Sequence, residues 1–261
     1  MQDPIVVTGA PGAGKTALVA HLARALEVPV ALPDGLVASR RIDALKLTVQ
    51  GVALDDADNA GIVETCAYGG GYSGAAGTVI AVVDAVALSG KTAELTEPML
   101  AEIRVADLVV LTRGDLVDAK AAGVLLATRT DLPVVEAEFG KLPVQELPTP
   151  ASRTLDLPSR VMPVVWDYSG GARLDEKLAE QLLKNRPAGT MRIKGVALAG
   201  EAGLELDQTG RARSVTPCAE PPETMLFACG AAGSFSEQNM GLHFAEVASA
   251  GAATAGWFGF R

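Results

Sequence analysis

Eight consecutive residues, Gly9-Ala10-Pro11-Gly12-Ala13-Gly14-Lys15-Thr16, form a complete GxxxxGK[ST] pattern. In such a loop the glycines let backbone N–H groups turn inward around phosphate oxygens. Lys15 would neutralise the β- and γ-phosphates, and the Thr16 hydroxyl would ligate Mg²⁺. The expected ligand is a nucleoside triphosphate with Mg²⁺, held by residues Gly9 through Ala17. The bland alternative is a glycine-rich turn before an ordinary helix. The flanking residues argue against it: the β-branched run Ile5-Val6-Val7-Thr8 precedes the loop, and Leu18, Leu22 and Leu26 recur every four residues after it.

A phosphate-cradling loop needs a second carboxylate, at the end of a neighbouring strand, to hold the magnesium shell and the attacking water. Glu64 ends the short apolar run Gly61-Ile62-Val63 and is the first choice for that role and for the metal. Asp58 is the rival, because Asp58-Asn59-Ala60-Gly61 has the shape of a DxxG motif, although the residues before it are less apolar. Base choice should sit later, at Thr112-Arg113-Gly114-Asp115, which has the form of the guanine-reading [NT]KxD motif. The Asp115 carboxylate could accept two hydrogen bonds from guanine, from N1–H and the 2-amino group; adenine offers no such pair. Arg113 stands where lysine is usual, and a guanidinium can stack on a purine. Arg40 and Arg41, in the switch-like stretch after the first helix, are cations that could reach the phosphates, and they read more readily as solvated surface.

The elements around these residues alternate. Strands are expected at 28–32, 45–52, 61–66, 78–84, 106–112 and 132–136, with helices at 93–106 and 119–130. The 45–52 strand rests on the alternation Leu45-Lys46-Leu47-Thr48-Val49, and 69–77 reads as a loop holding five glycines. The run Thr78-Val79-Ile80-Ala81-Val82-Val83 is apolar on both faces, as a buried parallel strand requires. Alternation of this kind predicts an α/β fold: a P-loop NTPase with a mostly parallel, doubly wound sheet over 1–150. Residues 151–188 read as a proline-rich linker and a connecting helix in which Leu174, Leu178 and Leu182 share a face. Residues 189–261 read as a small α+β domain, with strands near 190–199, 203–208, 211–216 and 224–229 and a closing helix at 237–250.

At 261 residues with 49% hydrophobic composition, the chain can bury two cores. No run of 18 apolar residues and no signal peptide are visible, and three scattered cysteines (Cys66, Cys218, Cys229) make no disulfide framework. A cytoplasmic protein is expected. The net charge of −9 gives no general attraction to nucleic acid or to a membrane, so an anionic ligand must be held by local design.

Taken together, these residues resemble the CobW-like branch of P-loop GTPases, the CobW/HypB/UreG type that serves metal-cofactor assembly. The strand and loop match over residues 5–16, and Glu64-Thr65-Cys66-Ala67 resembles the E-[ST]-x-G strand end. Val82-Val83-Asp84-Ala85 matches the VVDA strand. Ala106-Asp107 through Thr112-Arg113-Gly114-Asp115-Leu116 follows the A-D-x-x-x-x-N-K-x-D-L stretch, and Arg192-Ile193-Lys194-Gly195 the later R-x-K-G. The resemblance implies GTP and Mg²⁺ as ligands, hydrolysis to GDP and phosphate, a client protein and homodimerisation across the nucleotide. This chain lacks the Cys-x-Cys-Cys motif of that family: residues 28–63 contain no cysteine, and His21 and His243 make no ligand spacing with the three thiols. Two other functions fit the same residues, a nucleotide-binding scaffold with little hydrolysis and an ATP-dependent P-loop kinase or carrier.

Overall fold

The structure, a computed structural model, describes residues 3–32, 37–65, 72–89, 95–117, 119–138, 140–157, 163–210 and 212–255. The chain divides into two units, Met1–Leu36 with Lys46–Val161 and Val37–Leu45 with Met162–Arg261.

The first unit runs β1 (Ile5–Gly9), α1 (Lys15–Leu26), β2 (Val30–Ala31), α2 (Val37–Val49, of which Val37–Leu45 groups with the second unit), β3 (Ile62–Glu64), β4 (Tyr72–Ala76), β5 (Thr78–Asp84), α3 (Glu97–Arg104), β6 (Leu108–Thr112), α4 (Ala119–Ala127), β7 (Val134–Ala137) and β8 (Arg153–Leu157). Six strands form one parallel sheet in the order β2-β3-β1-β5-β6-β7. Successive strand residues point to opposite faces. Val7, Ile80, Val82, Leu108 and Val110 therefore pack with Leu18, Val19 and Leu22 of α1. Val6, Val79, Ala81, Val83, Val109 and Leu111 pack with Ile103 of α3 and Ala122 and Leu126 of α4. With both faces covered, the strands read as unbroken apolar runs, and the sheet is doubly wound as expected.

Three expectations are corrected. Residues 45–49 are the end of helix α2, where a strand was expected. Ser39, Ile42 and Lys46 are all buried at helical spacing, Lys46 and Leu47 are buried in succession, and Val49 is exposed, so period two is broken. Five alternating residues suit either element, and the helix-compatible residues before them decide. Part of the glycine-rich 69–77 stretch is strand β4, paired antiparallel with β8. There Gly74 leaves room for the Tyr72 hydroxyl, which donates to the Ala75 carbonyl at 2.7 Å. The start of the expected linker is β8 itself, with Leu155 and Leu157 buried in the same cluster as Tyr72 and Ala76.

The second unit continues with β9 (Val164–Gly170), α5 (Glu176–Lys184), β10 (Thr190–Ala199), β11 (Ala202–Thr209), β12 (Ala212–Cys218), β13 (Thr224–Gly230) and α6 (Glu237–Ala255). Its five strands form an antiparallel sheet in the order β12-β11-β10-β13-β9. Asp175 caps α5 by accepting from the Leu178 N–H at 2.8 Å, and Leu174, Leu178 and Leu182 are buried against the sheet with Phe235, Met240 and Phe244. Arg192 and Lys194 are buried and paired, with Asp207 at 2.8 Å and with Asp43 of α2 at 2.6 Å respectively. Arg41, also on α2, pairs with Glu223 at 2.8 Å. Among the described residues no helix is long and apolar enough to cross a membrane.

Candidate nucleotide-binding site

The carboxyl ends of β1, β3, β5 and β6 bring Gly9, Glu64, Asp84 and Thr112 to one edge of the sheet, where ligands bind in open α/β folds. The loop between β1 and α1 is built on its glycines. Gly12 and Gly14 have φ of 78° and 89°, conformations that side chains rarely adopt, and Gly14 is the N-cap of α1 with no side chain capping the helix. The N-terminal end of α1 adds positive potential at this loop. Gly9 passes so close to β5 that a Cβ would overlap the Val82 carbonyl. Gly9→Ala should lower stability by about 1–3 kcal/mol, the usual cost of overpacking. The check is a denaturant midpoint; an unchanged midpoint would contradict the close approach.

Lys15 is 5% exposed, and its Nζ donates to the carbonyls of Gly9 at 2.8 Å and Ala10 at 3.2 Å. The ammonium thus lies across the cradle it is expected to fill. Thr16 Oγ1 donates to Glu64 Oε1 at 2.9 Å. Glu64 is buried at the end of β3, directly beside β1 in register with Val7, whereas Asp58 is exposed in the turn at 57–59. The two oxygens are donors of the hard kind that Mg²⁺ takes, and the Thr16 hydroxyl keeps lone pairs for a cation while its proton bonds Glu64. The residues present fit Mg²⁺, and the inward-turning glycines with Lys15 fit a phosphate chain.

The expected base-reading residues lie on the turn after β6. The Thr112 hydroxyl, buried, donates to the Ala13 carbonyl at 2.7 Å and so ties this turn to the phosphate loop. Gly114–Leu116 is one 3-10 turn, and Asp115 on it is exposed. Arg113 has a positive φ of 57°, and its guanidinium pairs with Asp84 through two contacts, Nε to Oδ1 at 2.9 Å and Nη2 to Oδ2. The charge of Arg113, the residue expected to lie over a base, is met by the carboxylate at the end of β5. Asp84 was noticed only as part of a motif, because nothing local in the sequence joins it to a residue 29 positions away.

The loop after β7 lies along α1. A Cβ at Gly140 would come within 2.9 Å of the Ala17 Cβ, and His21 Nε2 bonds the Leu142 carbonyl at 2.9 Å. A cavity of about 460 Å³ opens there, lined by His21, Glu136, Glu138, Lys141 and Pro143. His243 likewise bonds a backbone carbonyl, that of Leu182, at 3.1 Å. Cys229 is buried, Cys218 half-buried, and Cys66 lies outside the described residues. Among the described residues no cluster of three or more His, Cys, Asp or Glu side chains could hold a metal ion.

One group escaped the sequence reading. Glu102 of α3 is buried, and its Oε1 accepts from Thr8 Oγ1 at 2.8 Å; Thr8 Oγ1 accepts from Thr65 Oγ1 at 3.1 Å. The signal was available: Met99, Glu102, Ile103 and Ala106 follow i, i+3, i+4, i+7, so a carboxylate falls on the apolar stripe of the helix.

No protein-family model matches the chain, and no curated protein does. Among solved structures it is similar to the Zn(II)-bound YjiA GTPase of E. coli, at 15% identity and a TM-score of 0.34 over 95% of this chain and 99% of that one. It is similar to HypB of Helicobacter pylori in complex with nickel, at 14% identity and a TM-score of 0.39 over 54% and 80%. The signal recognition particle receptor FtsY of Elizabethkingia anophelis in complex with GDP follows, at 15% identity and a TM-score of 0.38 over 57% and 60%. With β3 and β5 flanking β1, and the glycine loop passing straight into α1, the chain has the P-loop NTPase fold, joined to a separate unit built on an antiparallel sheet.

Proposed function

We propose that this protein binds GTP with Mg²⁺ and hydrolyses it slowly to GDP and phosphate, acting as a switch for a client protein. The observation that carries this reading is the bond from Thr16 on the phosphate loop to Glu64 on the adjacent strand. In it, Lys15 and the loop amides hold the phosphate chain, and Thr16 and Glu64 hold Mg²⁺ and orient water. Bound Mg²⁺ would neutralise charge on the phosphate oxygens. Asp115, exposed on its turn, accepts from the base, and Thr112 keeps that turn in register with the loop. Arg113 supports the base site through Asp84. No arginine stands in the loop itself, which favours slow intrinsic turnover. A role in metal-cofactor assembly follows from the CobW-like resemblance and rests on it.

The test is competition between GTP and ATP for the purified protein with Mg²⁺, followed by phosphate release. GTP preference is expected. Asp115→Asn should weaken GTP by about 1–3 kcal/mol, the size of hydrogen bonds to a charged group, and leave ATP unchanged. Equal losses for both nucleotides would remove Asp115 from base reading. ATP preference would favour a kinase or carrier, and binding with phosphate release no faster than without protein would favour the scaffold.

A further inference from the structure

The two arms of the nucleotide site meet beneath it in three buried side chains. Thr8 immediately precedes Gly9, whose carbonyl binds Lys15, and Thr65 immediately follows Glu64, which accepts from Thr16. Thr8, Thr65 and Glu102 are 1%, 5% and 8% exposed. Their hydroxyls and carboxylate form a chain with a fixed direction. A hydroxyl has one proton, and Thr8 donates its own to Glu102. The lone pairs of Thr8 are then left to accept from Thr65. Thr65 is held a second time, by its N–H donating to the Val7 carbonyl at 2.9 Å. A buried carboxylate such as that of Glu102 is costly unless hydrogen bonds compensate it. A buried hydrogen-bonded network of this kind rigidifies what it joins.

We infer that Glu102 is a positioning residue: through Thr8 and Thr65 it sets the spacing between the phosphate loop and the Glu64 strand end. It acts through the hydroxyls of those two threonines. This rests on the hydrolysis reading for its effect on turnover, but its effect on the ligand-free protein is independent of that reading. The probes are Glu102→Leu, which removes the acceptor, and Glu102→Gln, which keeps an oxygen for Thr8.

In the nucleotide-free protein, amide exchange within residues 5–10 and 62–65 should be about tenfold faster in Glu102→Leu and unchanged in Glu102→Gln, as the loss of one charged hydrogen bond allows. Exchange in α4 and β7 should not move. With Mg²⁺ and GTP, phosphate release by Glu102→Leu should fall about tenfold or more at near-normal GTP affinity, with Glu102→Gln restoring it. The inference is overturned if exchange in those two segments is unchanged, or if it rises equally throughout the first unit, which would make Glu102 a stabilising residue only. If the wild-type protein releases no phosphate, the hydrolysis reading fails while the exchange measurement still decides the role of Glu102.

Discussion

Lys15→Ala should lose nucleotide binding at concentrations that saturate the wild-type protein. The Lys15 ammonium is buried and already aligned across the loop by the carbonyls of Gly9 and Ala10. Nothing has to be ordered when phosphate arrives, and a buried ion pair formed there has few water competitors. Removing one member of such a pair costs about 3–5 kcal/mol, because the remaining charge is left in a poorly solvated site. At about 1.4 kcal/mol per decade, affinity should fall on the order of 10²- to 10³-fold or more. Titration calorimetry with GTP and Mg²⁺ measures this directly. Thermal unfolding of the ligand-free variant separates loss of the site from loss of the fold, since the lysine stem also packs in the loop. Lys15→Met keeps most of that stem and should fail to bind as well. Near-normal affinity in either folded variant would remove the loop from the function.

The second large effect is expected at Glu64→Gln. An amide keeps the shape of the side chain and an oxygen that can accept from Thr16, so the local fold should survive. The negative charge is lost, and with it the attraction for Mg²⁺ and the basicity needed to orient water. Phosphate release should fall by about 10²-fold or more, the range for a positioned acid–base group. GTP affinity should change far less, because the phosphate contacts belong to Lys15 and the loop amides. The Mg²⁺ concentration needed for half-maximal turnover should rise in parallel. Unchanged turnover and unchanged Mg²⁺ dependence would sink the assignment and return attention to Asp58, which lies exposed before β3.

Lys15 and Thr16 were legible as chemistry because the whole loop lies within eight residues and its demands are local: glycines for positive φ, then a cation and a hydroxyl on the first turn of a helix. Strands β5 and β6 and helices α1 and α5 were legible for a related reason. Their apolar residues repeat at the period of the element, and burial on one or both faces sets that period. Where the local pattern was short, it misled. The alternation at 45–49 belongs to a helix because residues 37–44 had already begun one, and the start of the supposed linker and part of the supposed loop became β8 and β4 because each supplies the other's hydrogen bonds.

By itself, then, the sequence determined the phosphate loop, the parallel α/β character of the first unit and the short set of carboxylates from which a metal ligand could come. The tertiary structure decided which of them face the loop. It joined Thr16 to Glu64 across 48 positions, Arg113 to Asp84 across 29 and Thr8 to Glu102 across 94. Hydrogen bonds reach about 3 Å and carry no trace in local spacing. Such pairs exist only after the sheet order has set β1 between β3 and β5 and packed α3 beneath them, which is a property of the folded core and of no single stretch of chain.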